Sequence, residues 1–596
     1  MPPQPHGCGG IYNSQGGKSM NLYIENKKIN SVKISRPEAP SAKSAAVYLY
    51  QYVEKLGFGI SSRPDLDIQL ILDEKLGDSF SIKLTQNELV LSGGVRGIIY
   101  SVFSFLETLG CRFFTPTIET LPKGSLYLNE FEREESTPFE FRDVCTNQAN
   151  GKYWSLKQKL NSNLWNVRKF TDDEGGSFNF AGIPAHSLSG EFLLKPYTET
   201  NPEYFSLVDG IRHTDRSGQI CMTNEDAINA AAYEACKVLE EHPDCNIVSV
   251  SQADNRNFCQ CESCKKLVEK QGLMKTYLGV VCKIAALIKE KHPEAFVHTL
   301  AYEDLCQSVD FELEDNIMLQ YCFGKCHMHA IDDENCPVNK KSREQLINIT
   351  KNCKHVHIWN YVNCFKYEMF EFPFIHNLRR NYRFFAEVGA TGAFNEGFHR
   401  SEEETDFANT MELRSYLLAK LLWNPYMSED EYRGHIEEFC YAFYGDGAQF
   451  IIDYLSLYEN MYGDEHVDYN LHVFPKTTEN DRVANTIRVD KIPEFISRAY
   501  ELLDKADVLA NDEQRLRIDK LRTTVLYFEM YHTMDDILKN GTEDEKKIVL
   551  EKNSDLIDRI IDKHFVITFW GQWRKTQNEE LETFREKSPK HWNYNW

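Results

Sequence analysis

Hydrophobic and polar positions alternate in short blocks over the first hundred or so residues after residue 20. Stretches with a period of two predict strands, and longer stretches with one apolar helical face predict helices. The predicted strands are 31–36, 67–73, two within 79–94 and 111–116, and the predicted helices are 42–57 and 94–110. A polar run at 131–138 predicts the end of this block. The pattern indicates a small α/β domain over residues 20–135.

Between residues 136 and 425 the pattern changes to apolar strands separated by amphipathic helices. Near-continuous apolar strands that alternate with helices are typical of parallel sheets. The predicted strands are 139–144, 246–251, 295–302, 316–323, 355–362 and 390–395. The segment has room for roughly eight strand–helix units, which predicts an α/β fold with a central (β/α)8 TIM-like barrel. An open doubly wound sheet is the alternative, and the lack of a glycine-rich dinucleotide fingerprint counts against it.

The last part of the chain, residues 426–596, has a helical period almost throughout. The predicted helices are 429–445, 448–463, 491–510, 512–534 and 543–564. We therefore expect an α-helical C-terminal domain. At the other end, residues 1–19 show no periodic pattern and are expected to form a flexible leader.

Composition and charge exclude several classes of function. The formal net charge of −23 is the wrong sign for a surface that tracks phosphates, so we expect no nucleic-acid partner. No stretch approaches 18 apolar residues, so no membrane span is expected. The leader lacks the pattern of a secretory signal, which predicts a cytoplasmic location, or a periplasmic or cell-surface one if an export signal was removed. The sequence predicts no oligomeric state.

In a barrel, active-site residues follow the carboxyl ends of the strands, because the βα-loops form the open face there. Gln252, Asp254 and Asn255 come directly after the strand that ends at Ser251. An acid next to an amide supplies a proton shuttle and an orienting hydrogen bonder for a sugar. An Asx-turn or a helix cap is the alternative use of these two residues.

Two further strands end in carboxylates. The strand before Tyr302 is followed by Glu303, and the strand that ends at Asn395 is followed by Glu396. Glu303 is a candidate acid or hydroxyl ligand, with a solvated loop carboxylate as the alternative. Glu396 precedes Gly397, which favours an inward carboxylate at the start of a loop.

Aromatic and polar side chains at other strand ends are candidates for substrate binding. Trp359, Asn360, Tyr361 and Asn363 alternate, so that one set is expected to face the barrel interior and the other the helices. The aromatic rings could stack on a sugar or fill the core.

Tyr302 and Asn395, next to the two carboxylates at their strand ends, are candidate substrate ligands as well, and Arg142 and His186 complete the set. Arg142 could hold sugar hydroxyls or pair with Asp143, and His186 lies in a Gly/Pro/Ser loop, where it contacts substrate or is satisfied locally.

The segment after the Asp254 strand also carries Cys259, Cys261 and Cys264. This C-x-C-x2-C spacing could supply three thiolates to zinc, with a fourth ligand from elsewhere: Cys306, Cys322, Cys326, His327 or His329. No second C-x2-C pair completes a standard finger. Free thiols or one disulfide are favoured instead, so we predict no metal, and the 17 cysteines of the chain are expected to be mostly reduced.

The sequence contains no G-x-S-x-G elbow, P-loop or H-E-x-x-H motif. Serine hydrolase, nucleotide-binding and zinc protease chemistry of those types are therefore not indicated. Paired carboxylates at a barrel rim are the chemistry of glycosidic cleavage. No cofactor is expected.

Several motifs resemble a known group of proteins. GVRGIIYSVFSFLETLGCRFFTP is similar to the end of the domain that precedes α-glucuronidase and β-hexosaminidase barrels. SVSQADN…CQCESC, WNYVNCF, FNEG and LLAKLLWNP resemble the barrel of the DUF4838 type, and through it the glycoside hydrolase family 163 endo-β-N-acetylglucosaminidases. The resemblance covers roughly residues 30–450.

This resemblance implies that the protein is a bacterial enzyme that cleaves N-glycans next to an N-acetylglucosamine. It also implies that the acetamide group of the substrate takes part in the reaction. It implies that Asp254 orients the acetamide or shuttles a proton, that Glu303 is the general acid, and that Glu396 shares that role or binds hydroxyls. The alternatives are an α-glucuronidase, another exo-glycosidase or a non-catalytic glycan-binding barrel.

Overall fold

The computed structural model describes most of residues 20–562. The gaps are 147–148, 150, 163, 166–168, 324–325, 327–328, 364–368, 370, 372–374, 398–408 and 462–490. The predicted leader 1–19 and residues 563–596 lie outside the described residues. The chain divides into two compact units, of which the first comprises Met1–Thr137, Gly151–Lys159 and Lys169–Ser177. The two short insertions in this unit are residues that the sequence analysis assigned to the barrel.

The first unit has the predicted α/β character, and six of its strands form one mixed sheet. Its strands are β1 Asn21–Ile24, β2 Lys27–Ile29, β3 Ser31–Ser35, β4 Gly59–Ile60, β5 Leu66–Leu72, β6 Phe80–Leu84, β7 Glu88–Gly93, β8 Arg112–Phe113, β9 Glu119–Thr120, β10 Ser125–Leu128 and β11 Phe131–Glu135. Its helices are α1 Pro40–Lys55, α2 Gly97–Thr108 and α3 Lys152–Lys157. The sheet order is β11-β6-β7-β5-β3-β4.

Helix α2 forms the centre of this unit. Every residue from Gly97 to Leu106 is buried, as its apolar sequence predicts. The helix starts against the loop before β6, where a Cβ on Gly97 would lie 2.2 Å from the carbonyl oxygen of Ser79. Glycine is therefore required at this position by close backbone approach.

The second unit combines a parallel sheet with all the remaining helices. Its strands are β12 Phe141–Cys145, β13 Phe180–Ala181, β14 Leu207–Val208, β15 Ile211–Arg212, β16 Ile247–Ser249, β17 Phe296–Ala301, β18 Ile317–Phe323, β19 His355–Tyr361 and β20 Gly392–Glu396. Its helices are α4 Glu225–Glu241, α5 Glu262–Gln271, α6 Leu273–Lys291, α7 Pro337–Asn352, α8 Ile375–Glu387, α9 Met411–Trp423, α10 Glu429–Tyr444, α11 Ala448–Met461, α12 Ile492–Leu509, α13 Asp512–Asn540 and α14 Glu543–Asp562.

Seven parallel strands form the sheet in the order β12-β20-β19-β18-β17-β16-β13. The sheet is curled, because its outermost strands approach each other: the rings of Phe141 on β12 and Phe180 on β13 lie 6.4 Å apart. All six strands predicted for this region are confirmed. The two-residue strand β13 was not predicted, since so short an element has no readable period.

An extended segment lies between the two outermost strands. The backbone N–H of Asn161 donates to the carbonyl of Arg142 at 3.3 Å, and the N–H of Phe178 donates to the carbonyl of Asn161 at 3.1 Å. Ser162 forms an isolated parallel bridge with Phe178. Backbone hydrogen bonds therefore continue from β12 towards β13 on the side where the seven-stranded sheet is open.

The concave face of the sheet holds a column of aromatic and imidazole rings. Phe141 stacks on His357 with ring centroids 4.8 Å apart, and Phe180 meets His298 edge-on at 5.1 Å. His298 Nε2 lies 2.6 Å from Oε1 of Gln320, to which it donates. Because side chains alternate along a strand, these residues fix which positions further along each strand face inwards.

The five predicted C-terminal helices are confirmed as α10 to α14, and they belong to the same compact unit as the sheet. In the described part of the chain, no single helix has the length and apolarity of a membrane span. Only the pair α5 and α6, bent by 110°, meets those criteria when the two helices are taken together.

Candidate functional site

The carboxyl ends of four strands of the sheet carry the candidate side chains. Glu396 is the last residue of β20, and Tyr361 is the last of β19 and its partner in the parallel register. Tyr302 follows β17 directly, and Asp254 lies five residues after the end of β16. Since all these strands are parallel, their carboxyl ends meet at one rim of the sheet.

Glu396 is fixed at this rim. Its side chain is about 1% exposed, and its Oε2 accepts a 2.7 Å hydrogen bond from Nε1 of Trp359. Trp359 in turn packs edge-on against Phe394 on the neighbouring strand, with centroids 4.7 Å apart. A buried carboxylate that receives an indole hydrogen bond cannot turn away from the concave face without losing that bond.

Two tyrosine hydroxyls at the rim are affected by the charges of the same two carboxylates. Burial raises the pKa of Tyr302 above its ordinary value, and the charges of Asp254, Glu303 and Glu396 raise it further. Burial and the charges of Glu396 and Asp254 also raise the pKa of Tyr361. Asp254 and Glu396 therefore both lie near enough to the two phenols to raise their pKa values.

The pKa of Cys322, near the end of β18, is raised by the same causes. Burial raises the pKa of its thiol well above the ordinary value, and the charges of Glu396 and Asp254 add to that shift. The thiol is consequently a neutral part of the wall rather than a nucleophile.

His186 lies beside Tyr302, with ring centroids 6.0 Å apart. Its Nδ1 is 2.9 Å from the backbone oxygen of Gln252. A carbonyl oxygen only accepts, so Nδ1 carries the proton and Nε2 of the neutral ring is left as an acceptor. The residue adopts φ of +56°, a left-handed conformation that is uncommon outside glycine.

Glu303 is held in an ion pair just after β17, at the same rim of the sheet. Its carboxylate accepts from Nη2 of Arg256, whose Nε also lies 3.7 Å from Oδ2 of Asp304. The backbone of Glu303 is left-handed, with φ of 53°. Glu303 thus contributes to the field at Tyr302 while its own carboxylate is bound by arginine.

Asp254 and Asn255 behave differently from each other. Asp254 is exposed, and no described residue donates a hydrogen bond to its carboxylate. Asn255 Oδ1 accepts from the N–H of Asn257 at 2.9 Å, and its Nδ2 donates to the carbonyl of Ser217 at 3.0 Å. Asn255 therefore forms the Asx-turn that the sequence left as the alternative.

Three other predicted ligands lie on the helix side of the sheet and not on its concave face. Arg142 is buried on the helix side of β12, where its guanidinium lies 5.5 Å from the ring centroid of Trp423 and donates to Phe139. Asn360 donates to Asn395 at 3.1 Å, and Asn395 accepts from the hydroxyl of Tyr382 on α8. The placement of these three residues as substrate ligands is corrected, because strand alternation turns them towards the helices.

Three other residues lie at the rim, and one of them, Trp165, was not a candidate from the sequence. Trp165 is half-buried and meets Trp359 edge-on at 6.4 Å. Gln252 and Asn363 are buried, and neither their amide nitrogen nor their amide oxygen has a hydrogen-bond partner. Buried amides without partners are costly, so these two positions are suited to meet a bound polar ligand or water.

The cysteine segment after β16 has a fourth partner that the spacing did not reveal. Cys221 joins Cys259, Cys261 and Cys264, and the four sulfurs all lie within 4.8 Å of one another. Among the candidates for a fourth ligand, His327 lies outside the described residues, and Cys306, Cys322, Cys326 and His329 are not members of this group. All cysteines of the described chain are free thiols.

Comparison with known proteins places the chain in a family. The model of a domain of unknown function, DUF4838, matches residues 113–456. The chain belongs to this family. No curated protein sequence matches it.

Solved structures similar to this DUF4838 protein are glycoside hydrolases. A family 89 enzyme from Clostridium perfringens in complex with PUGNAc is 12% identical, with a TM-score of 0.50, and the alignment covers 87% of this chain and 65% of that one. A GH138 enzyme that targets pectin rhamnogalacturonan II is 12% identical, with a TM-score of 0.48 and coverage of 93% and 98%. At these identities the family 89 likeness supports the fold.

Proposed function

We propose that this DUF4838 protein is a glycoside hydrolase whose reactive carboxylates are Asp254 and Glu396. The observation that carries the proposal is that Glu396 ends β20 and Asp254 follows β16, two strands of one parallel sheet whose carboxyl ends lie at the same rim. The hydrogen bonds through Asn161 support a complete (β/α)8 barrel around this rim.

The two carboxylates are suited to different steps. Glu396 is held by Trp359 in a buried position, where a fixed negative charge would stabilise the oxocarbenium-like transition state of glycosidic cleavage. Asp254 is exposed and not engaged by a described donor, so it can exchange a proton with water and with the leaving oxygen. We therefore assign the proton shuttle to Asp254 and charge stabilisation to Glu396.

Glu303 has a supporting role in this proposal. Its Oε2 accepts a hydrogen bond from Arg256, and this ion pair favours the charged carboxylate, which leaves Glu303 poorly suited to protonate a leaving group. We place Glu303 as the residue that positions Arg256 and the loop after β17, and we no longer propose it as the general acid.

For the substrate, we propose a glycan with an N-acetylglucosamine at the bond that is cleaved, and endo cleavage of N-glycans as implied by the resemblance to glycoside hydrolase family 163. The family 89 enzyme of similar fold has been solved with 2-acetamido-1,2-dideoxynojirmycin, an acetamido sugar analogue. An acetamide needs hydrogen-bond partners for its N–H and C=O, and the unpartnered amides of Gln252 and Asn363 offer both kinds. Trp165 and Tyr302, both half-buried, provide ring faces for a sugar.

Turnover of a small panel of substrates tests this proposal. The full chain is incubated with the 4-nitrophenyl N-acetyl-β-glucosaminide, N-acetyl-α-glucosaminide and α-glucuronide, and with a complex N-glycoprotein analysed by mass spectrometry. We expect glycan release that is lost in Asp254→Asn and Glu396→Gln and kept in Glu290→Gln, an exposed residue of α6. Glycan binding without turnover of any substrate would contradict the proposal, and cleavage of the glucuronide alone would contradict its substrate.

A further inference from the structure

The four thiols near the Asp254 loop have the geometry of a tetrahedral metal site. Sγ of Cys221 lies 3.6 Å from that of Cys259, 3.8 Å from that of Cys261 and 3.9 Å from that of Cys264. Four sulfurs at the usual Zn–S distance of about 2.3 Å would be about 3.8 Å apart. A disulfide would require about 2.05 Å, so these sulfurs are spaced for a shared ion rather than for a bond to one another.

Two separate segments of the chain supply these sulfurs, one with Cys221 and one with the other three cysteines. Cys221 precedes α4, Cys259 lies in the loop after β16, and Cys261 and Cys264 occupy the N-cap and first turn of α5. The positive end of the α5 dipole therefore faces the sulfurs. Because the ligands are distant in the sequence, a bound ion would cross-link the loop after β16 to the segment before α4.

The surroundings of the sulfurs suit thiolates. The backbone N–H of Leu207 on β14 points to Sγ of Cys259 at 3.4 Å, and Nη1 of Arg212 on β15 lies 4.0 Å from the same atom. The hydroxyl of Thr223 is 3.3 Å from Sγ of Cys264. Four thiolates around a divalent cation carry a net charge of about −2, which these donors and the arginine would partly offset.

The segment that carries Cys221 also forms hydrogen bonds with the backbone on both sides of Asp254. The side chain of Gln219 donates to the carbonyl of Ala253 at 3.0 Å and accepts from the N–H of Ala253 at 3.1 Å. It also donates to the carbonyl of Asn255 at 3.1 Å. Gln219 is two residues before Cys221. An interaction that holds Cys221 in place would therefore also restrict the backbone around Asp254.

We propose that Cys221, Cys259, Cys261 and Cys264 bind one structural Zn²⁺, which holds the Asp254 loop in place. The expectation of no metal is thereby revised. All four positions around the ion would be filled by protein, so the ion has no open position for substrate and acts as a brace. The positioning of Asp254 rests on the proposed function, whereas metal binding does not.

Metal analysis of the purified full chain tests the site directly. We expect about one zinc per chain, released when the thiols are modified by a mercurial, and the charge-transfer and visible bands of tetrahedral thiolate cobalt after exchange with Co²⁺. Cys221→Ser and Cys259→Ser should lose the metal, and Cys282→Ser, a half-buried thiol outside the cluster, should keep it. A wild-type chain without bound zinc, with its four thiols free or in disulfides, would overturn the proposal, whether or not the variants fold.

A second variant separates the site from its proposed effect. Gln219→Ala should keep one zinc per chain and lose at least about tenfold in glycosidase kcat/KM, because the link to Asp254 is cut while the thiols remain. Full activity in Gln219→Ala would overturn the positioning of Asp254 through this segment. If no glycoside is cleaved by the wild-type chain, the zinc stoichiometry still decides the metal site.

Discussion

The indole N–H of Trp359 donates a 2.7 Å hydrogen bond to the carboxylate of Glu396, across two adjacent parallel strands. Both side chains are buried on the concave face of the sheet. A hydrogen bond to a charged group is worth about 1.5–3 kcal/mol. The hydrogen bond from Trp359 thus helps to orient Glu396 at the rim of the sheet.

Replacing this donor should weaken catalysis without unfolding the protein. Trp359→Phe keeps an aromatic ring against Phe394 but removes the N–H, so we expect kcat/KM to fall by about 10- to 150-fold. Steady-state kinetics on the best substrate of the panel measures the effect. Trp423→Phe, a buried tryptophan on the helix side next to Arg142, is the control and should keep its activity. Equal losses in both variants would argue against a specific role of the Trp359 hydrogen bond.

The ion pair of Glu303 with Arg256 leads to a ranking of the three carboxylates. Glu303→Gln should lose no more than about tenfold in kcat/KM, because a positioning group is altered, whereas Asp254→Asn should lose about 10²–10⁴-fold, the range for a lost acid–base group. Parallel kinetics on the two variants measures the difference. If Glu303→Gln is as inactive as Asp254→Asn, the general-acid role implied by the family resemblance is restored.

Stability should fall in acid because of a buried imidazole. Burial lowers the pKa of His298 to about 3, from about 6.5 in the unfolded chain. At pH above about 6.5 the residue is neutral in both states; between about 6.5 and about 3 only the unfolded chain gains the proton, so the free energy of unfolding falls by up to about 1.4 kcal/mol per pH unit. Denaturant unfolding at a series of pH values measures this slope.

The slope should be smaller by about one proton in His298→Gln, which keeps an amide opposite Gln320. His242→Gln, an exposed histidine after α4, serves as the control and should leave the slope unchanged. If the slope of His298→Gln equals that of the wild type, as expected for His242→Gln, His298 does not take up the proton on unfolding.

A buried ion pair supports the helix that follows the rim. Arg414 on α9 donates to Glu371 at 2.7 Å and to the carbonyl of Val362, and both charged side chains are fully buried. Arg414→Met would leave the Glu371 charge without its partner, so we expect a loss of about 3–5 kcal/mol in the free energy of unfolding. Arg383→Met, which breaks an exposed pair with Glu387 on α8, should cost less than about 1 kcal/mol. Equal destabilisation of the two variants would contradict this interpretation.

The sequence predicted those features that depend on local periodicity. The six long strands of the curled sheet and the five C-terminal helices were found because apolar runs and helical spacing are properties of contiguous residues. β13 and the segment at Asn161 are too short to carry a period, and their place is set by hydrogen bonds to strands far away in the sequence. Local patterns cannot contain that information.

The candidate site shows the same limit. Alternation in β19 predicted that Trp359 and Asn360 face opposite ways, but which of them faces inwards depends on the whole sheet. Arg142 and Asn395 were placed at the rim by position along the strand alone, and their side chains face the helices. Cys221 escaped notice because it lies 38 residues before Cys259, with no repeated spacing to connect them.

The most direct test of the central claim is a double-variant comparison of Asp254→Asn, Glu396→Gln and the two combined, using kcat/KM for the best glycoside substrate. If both carboxylates serve one transition state, each single variant loses most of the activity, and the combined variant loses at most a few-fold more. Independent, multiplicative losses, or a single variant that keeps more than about half of the wild-type activity, would contradict a shared site.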